Sequence, residues 1–195
     1  MEIQEDPTAQ KYFNPLTRMA TASFIKNVLD EIESLQVDSI LDIGCGTGYI
    51  TKSLMAYSPN CIACDLDISR LKLAREYTNE GIPFIVADVT QLPFKRANFD
   101  LVMATEVLEH VPNIEAVLRE IKVISRSYVL ITVPSEPIFR IANFLRGKNL
   151  ASFGNPMDHI HHFSKKSLRD LLSEYFSQVD IEVNSTFWLM ATCRL

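Results

Sequence analysis

The sequence predicts an α/β fold: a doubly wound, mostly parallel sheet with one antiparallel strand at or near its edge. Three observations predict it. Short apolar runs alternate with helix-period segments from residue 39 to 133. A glycine-rich turn directly follows the first of those runs. Two β-like runs separated by Asn184-Ser185 close the chain as a hairpin.

The elements follow in order. Pro15 to Leu35 reads as a helix, because Met19, Ala22, Phe24, Ile25, Val28, Leu29, Ile32 and Leu35 recur near helical spacing. Ser39–Ile43 is the first strand and Tyr49–Tyr57 a helix, stopped by Ser58-Pro59-Asn60. Cys61–Cys64 is the second strand. Ser69–Asn79 is a helix with Leu71, Leu73, Ala74 and Tyr77 inward, and Glu80-Gly81 breaks it. Pro83–Ala87 and Phe99–Ala104 are strands three and four. Asn113–Ile124 is a helix and Tyr128–Val133 the fifth strand. Prolines 134 and 137 then interrupt the rhythm until the helix Lys165–Tyr175. Val179–Asn184 and Thr186–Thr192 are the final strands.

At 195 residues the chain suits one domain with a real core. Its parts are an N-terminal lid and helix (1–35), a cofactor-binding core (36–133), an acceptor-side insertion (134–163), and a final helix and hairpin (164–195). Tyr12 and Phe13 are candidate anchors of the lid. A net charge of −5 argues against dedicated nucleic-acid binding. No apolar run is long enough to span a membrane, and the N-terminus is acidic, so a cytoplasmic protein is expected. The four cysteines make no disulfide framework. Cys61 and Cys64 stand three apart on a strand, so their side chains face opposite ways and cannot converge on a metal.

The chemistry starts at Ile40-Leu41-Asp42-Ile43-Gly44-Cys45-Gly46-Thr47-Gly48. Glycines let the backbone turn sharply and approach a ligand closely, and Asp42 puts a carboxylate at the strand edge where open α/β sheets bind ligands. A dinucleotide fingerprint would want its third glycine where Tyr49 stands, which argues against a nicotinamide-dependent oxidoreductase. Asp65 ends the second strand, where such a fold places an acid for ribose hydroxyls, while Asp67 and Ser69 are better placed as helix caps. Asp88 ends the third strand. It suits the exocyclic amine of adenine, or alternatively a turn before Leu92-Pro93-Phe94.

Those motifs, with Phe99-Asp100-Leu101-Val102 and Glu106-Val107-Leu108-Glu109-His110-Val111, resemble a class I S-adenosylmethionine-dependent methyltransferase over about residues 38–133. The resemblance implies a seven-stranded sheet with its last strand antiparallel. It implies S-adenosylmethionine as cofactor and S-adenosylhomocysteine as product. In that family Asp42 and Gly44, with Cys45 between the glycines, line the methionine end, and Gly46 and Gly48 make room for the cofactor. Asp65 holds the ribose, Leu66 packs on adenine, Asp88 and Val89 read the adenine edge, and Thr105 and Glu106 pass beneath the methionine. One departure is Ser125-Arg126-Ser127, where the family usually has a glycine-proline turn.

A phenol or hydroxyl acceptor would need a general base. The candidates are His110, Glu109, Asp158, His159, His161 and His162, with His159 first and Asp158 and His110 beside it. The alternatives for 158–162 are a loop whose histidines bond backbone groups and cap the next helix and, ranked third, metal binding, which the adjacent spacing disfavours because it scatters the side chains. Glu106-x-x-Glu109-His110 also has the composition of a metal site, but a metal needs ligands from elsewhere, so no metal is expected. Pro137–Leu150, apolar with Arg140, Arg146 and Lys148, reads as a lid over a small or lipid-like acceptor, as a peripheral membrane contact, or as a helix on the sheet edge. O-methylation by in-line displacement is the expected reaction. A catalytically silent cofactor-binding module is the alternative of a different class.

Overall fold

A computed structural model of the chain describes residues 17–79, 81–136, 138 and 159–195. The lid residues Tyr12 and Phe13, the catalytic candidate Asp158 and nearly all of Pro137–Leu150 lie outside the described residues.

The element order is α1 (Arg18–Leu35), β1 (Ser39–Ile43), α2 (Thr51–Leu54), β2 (Asn60–Asp65), α3 (Ile68–Tyr77), β3 (Phe84–Val86), β4 (Phe99–Thr105), α4 (Ile114–Ile124), β5 (Ser125–Pro134), α5 (Lys165–Ser173), β6 (Gln178–Asn184) and β7 (Trp188–Arg194). The seven strands form one sheet in the order β3-β2-β1-β4-β5-β7-β6. β1 pairs in parallel with β2 and β4, β2 with β3, and β4 with β5. β7 runs antiparallel between β5 and β6. The order reverses at β1 and β4, so the turns after these two strands flank the switch point where such sheets bind ligands.

Side-chain alternation along the strands feeds two cores. Leu41, Ile43, Cys64, Val102, Ala104, Val129 and Ile131 face one way, against Val117, Leu118 and Ile121 of α4 and Leu168 and Leu172 of α5. Ile40, Cys61, Ala63, Leu101, Met103 and Leu130 face the other, against Phe24, Val28 and Ile32 of α1 and Leu71 and Ala74 of α3. Cys61 and Cys64 thus lie in different cores, as their spacing requires, and burial pushes both thiols up to about 12.

Several boundaries differ from expectation. The helix expected over Tyr49–Tyr57 is only Thr51–Leu54, because Ala56 and Tyr57 donate to the carbonyls three residues back and tighten the end into turns. β5 starts at Ser125 because α4 runs directly into it with no intervening turn, and Arg126 reaches the Asp100 carboxylate at 2.6 Å. The hairpin turn is longer than Asn184-Ser185. β7 begins at Trp188, since Ser185 and Thr186 both adopt left-handed φ, +53° and +69°.

Candidate active site

The site is built on the C-terminal edge of β1, β2 and β4. Asp42 on β1 is 1% exposed, and its Oδ2 accepts a 2.6 Å hydrogen bond from Thr51 Oγ1 of α2. Among the described residues its Oδ1 has no hydrogen-bond partner. Burial pushes the Asp42 carboxyl up to about 7; the Thr51 bond opposes the shift and the Asp65 charge adds to it. Thr51 was not singled out in the sequence. Its only signal there is a hydroxyl in the first turn after the glycine loop.

The three glycines of the loop have left-handed φ, from +55° to +73°, which explains why the chain carries glycine there. Their missing side chains serve different ends. A Cβ on Gly44 would lie 2.6 Å from Val107 Cγ2, so this glycine lets the β4 turn pack against the loop. A Cβ on Gly48 would meet Ala74 Cβ of α3 at 3.0 Å, so the room at Gly48 is occupied by a helix. A Cβ on Gly46 meets nothing within 4 Å among the described residues. Cys45 is half-buried, its amide donates to the Cys64 carbonyl, and burial raises its thiol pKa.

Asp65 joins the loop to β2. Its Oδ2 accepts from the Gly46 amide at 2.8 Å and its Oδ1 from the Asp67 amide at 2.9 Å. Each oxygen keeps a second lone pair for another donor. Asp67 caps α3 through the Ser69 and Arg70 amides, which leaves Asp65 to the loop. Leu66 is 68% exposed. Asp88 is exposed and accepts from the Thr90 amide and hydroxyl through Oδ1, which lowers its carboxyl pKa. Val89 beside it is half-buried.

After β4, Thr105 and Glu106 are half-buried. Glu106 has a φ of +56°, its amide donates to the Thr132 carbonyl, and its Oε1 accepts a 2.7 Å bond from Trp188 Nε1 of β7. No sequence pattern pointed to Trp188. Glu109 is 1% exposed, and His110 is exposed.

The 159–163 strand-like segment docks on this turn. The Ile160 and His161 amides both donate to the Glu109 carbonyl, at 2.9 and 3.2 Å. The His161 ring lies 2.9 Å from the Val111 carbonyl, and the Glu136 amide donates to the Phe163 carbonyl. His161 is therefore engaged with backbone, Ser164 rather than a histidine caps α5, and His162 is exposed. His159 instead meets the ring of His110 edge-on, with centroids 4.9 Å apart. A cavity of about 710 Å³ opens at the opposite sheet edge, lined by Ser39, Asn60, Asp100 and Arg126, and contains none of the predicted site residues.

A seven-stranded sheet of this order, with a glycine turn after β1 and acids ending β1 and β2, is the fold of the class I methyltransferases. Residues 41–128 match the methyltransferase domain family. The chain resembles the class I S-adenosylmethionine-dependent methyltransferases in this domain match and in its fold. It is 33% identical over 86 residues to the malonyl-[acyl-carrier protein] O-methyltransferase of Legionella pneumophila, covering 42% of this chain and 30% of that protein. It is 25% identical over 118 residues to a ubiquinone biosynthesis O-methyltransferase of Coxiella burnetii, covering 57% of this chain and 50% of the relative. The chain thus spans half or less of the length of these relatives. In fold it is similar to an S-adenosylmethionine-dependent methyltransferase of Thermotoga maritima, with a TM-score of 0.75, 16% identity, and coverage of 98% of this chain and 96% of that one.

S-adenosylmethionine is the cofactor of this class, and the edge fits it. Among the described residues, Asp42 Oδ1 is an unpartnered buried acceptor at the loop, Gly46 leaves an open cradle, Asp65 keeps acceptor capacity, and Leu66 presents an exposed apolar face. No helix among the described residues is long and apolar enough to cross a membrane.

Proposed function

We propose that this chain transfers a methyl group from S-adenosylmethionine to an oxygen of a small or lipid-like acceptor in the cytoplasm. The observation that carries the reading is convergence at one sheet edge. Asp42, Gly46 and Asp65 line the loop after β1. The turn that follows β4 packs on Gly44 through Val107 and brings His110 against His159.

In this reading Asp65 accepts the ribose hydroxyls while still holding the Gly46 amide, so the loop and the sugar are positioned by one carboxylate. Leu66 and Val89 flank the adenine, and Asp88 accepts its amine. Asp42, with Gly44 and Cys45, borders the methionine end, where its unpartnered oxygen takes an ammonium or a water. Thr105 and Glu106 form the floor, with Glu106 held by Trp188. Gly48 contributes indirectly, by letting α3 approach the loop. When bound, the cofactor supplies a methyl already activated on a sulfonium. The protein's remaining tasks are alignment and exclusion of water. His159, beside His110, takes the proton of the acceptor hydroxyl, with Asp158 adjacent in sequence. Two of the similar proteins are O-methyltransferases, which supports oxygen as the acceptor atom, while a third, of Rauvolfia serpentina, is a norajmaline N-methyltransferase.

Calorimetry on the full chain tests the cofactor assignment. S-adenosylhomocysteine binds and NAD does not. Asp65→Ala weakens S-adenosylhomocysteine at least tenfold, about 1.4 kcal/mol, since it also frees the Gly46 and Asp67 amides. Binding of NAD alone, or an unchanged affinity in the variant, would overturn it.

A further inference from the structure

We infer that Glu109, His110 and His159 form a binding site for one divalent transition-metal ion. The ligand atoms that these side chains offer, a carboxylate oxygen and one ring nitrogen from each histidine, all lie within 4.8 Å of one another. Donors on a single ion, at bonds of about 2.1 Å, stand roughly 3–4 Å apart, so small side-chain rotations close the set.

The fold brings the two halves of the set together before any ion arrives. Glu109 and His110 lie on the turn after β4, which is tied by the His110 amide donating to the Val107 carbonyl at 3.0 Å. His159 immediately precedes the Ile160 and His161 amides, which are anchored on the Glu109 carbonyl itself. The His161 ring fastens the same segment to Val111. Backbone bonds thus order the long-range ligand, and ion binding need order only side chains.

Glu106 stands apart from the set. In Glu106-x-x-Glu109-His110 it is the obvious second carboxylate, but its left-handed backbone and the Trp188 bond commit it elsewhere. Glu109, His110 and His159 satisfy the need for a ligand from another part of the chain. Two imidazoles and one carboxylate suit zinc, manganese, iron or cobalt ions better than magnesium or calcium, which prefer all-oxygen shells. Three protein ligands leave open positions for water or substrate. Glu109 is buried, His159 half-buried and His110 exposed, so the site grades from core to solvent.

The use of the ion, though not its binding, rests on the methyltransferase reading. A hydroxyl ligated there releases its proton to solvent at lower pH than when free. Its oxygen then bonds the methyl carbon as the carbon–sulfur bond breaks and sulfur keeps the electron pair. In that loaded form His159 is a ligand, and the ion replaces it in ionising the acceptor. The acceptor class is a hydroxyl compound able to ligate a metal.

Titration of the chelator-treated full chain with Co²⁺, followed by visible absorption and calorimetry, tests the site. One Co²⁺ binds per chain, with weak d–d bands and no thiolate charge-transfer band. His159→Ala and His110→Ala each weaken binding at least about tenfold while circular dichroism is unchanged. No saturable binding, an unchanged affinity in His159→Ala, or a thiolate band from the cysteines would overturn the site. S-adenosylhomocysteine binding measured on the same samples keeps the readings apart. If it binds and Co²⁺ does not, the metal site alone falls. If Co²⁺ binds as described and it does not, the methyltransferase reading falls and the metal site stands.

Discussion

Asp42 couples the stability of the fold to pH, and Asp42→Asn exposes the coupling. Burial raises the carboxyl from an ordinary 3.8 to about 7 in the folded chain. The folded state therefore holds this proton more tightly than the unfolded state does. Below 3.8 both states are protonated and the contribution is fully present; it is lost as pH rises to the folded value near 7. At about 1.36 kcal/mol per pH unit, the loss between pH 5 and 8 is about 3 kcal/mol. Asparagine keeps the shape and an acceptor for Thr51, but it does not ionise. Urea unfolding of both proteins at pH 5 and pH 8 reads the effect. The stability of Asp42→Asn relative to wild type grows by about 3 kcal/mol between those pH values. In a chain of this size that corresponds to a gap in Tm growing by roughly 6–12 °C. A difference that stays flat with pH, or grows in the other direction, refutes the argument that Asp42 is buried and ionises at this cost.

Two alanine substitutions in the loop separate packing from binding. Gly44→Ala forces a Cβ to 2.6 Å from Val107 at left-handed φ and costs about 2–4 kcal/mol of stability. Gly46→Ala meets no atom of the described residues within 4 Å and costs only about 1 kcal/mol, yet it weakens S-adenosylhomocysteine at least tenfold by filling the cradle. Equal losses of Tm in the two variants would remove the distinction. Trp188→Phe removes the 2.7 Å bond to Glu106 and lowers stability by about 1.5–3 kcal/mol by urea unfolding. A double-mutant cycle with Glu106→Ala that shows no coupling would contradict it.

Much of the fold was legible because it rests on local periodicity. The alternation of Ile40, Leu41 and Ile43 sets two core faces, and the same rule separates Cys61 from Cys64. Asp67 was legible as a cap because capping depends on residues two and three positions away. Helix ends were read less well. Tyr49–Tyr57 has helical spacing, but its last turn closes through bonds from Ala56 and Tyr57 to the carbonyls three residues back, which spacing does not reveal.

What the sequence determined by itself was the sheet, its glycine turn and the acids ending β1 and β2, because each is written within a few residues. The tertiary structure alone decided what those residues touch. It turned Glu106 toward Trp188, filled the space above Gly48 with Ala74, left Gly46 open, and set His159 against His110 while engaging His161 with backbone. These contacts join positions far apart in the chain. Their geometry depends on strand order and on backbone bonds such as those to the Glu109 carbonyl, and neither is encoded in local spacing.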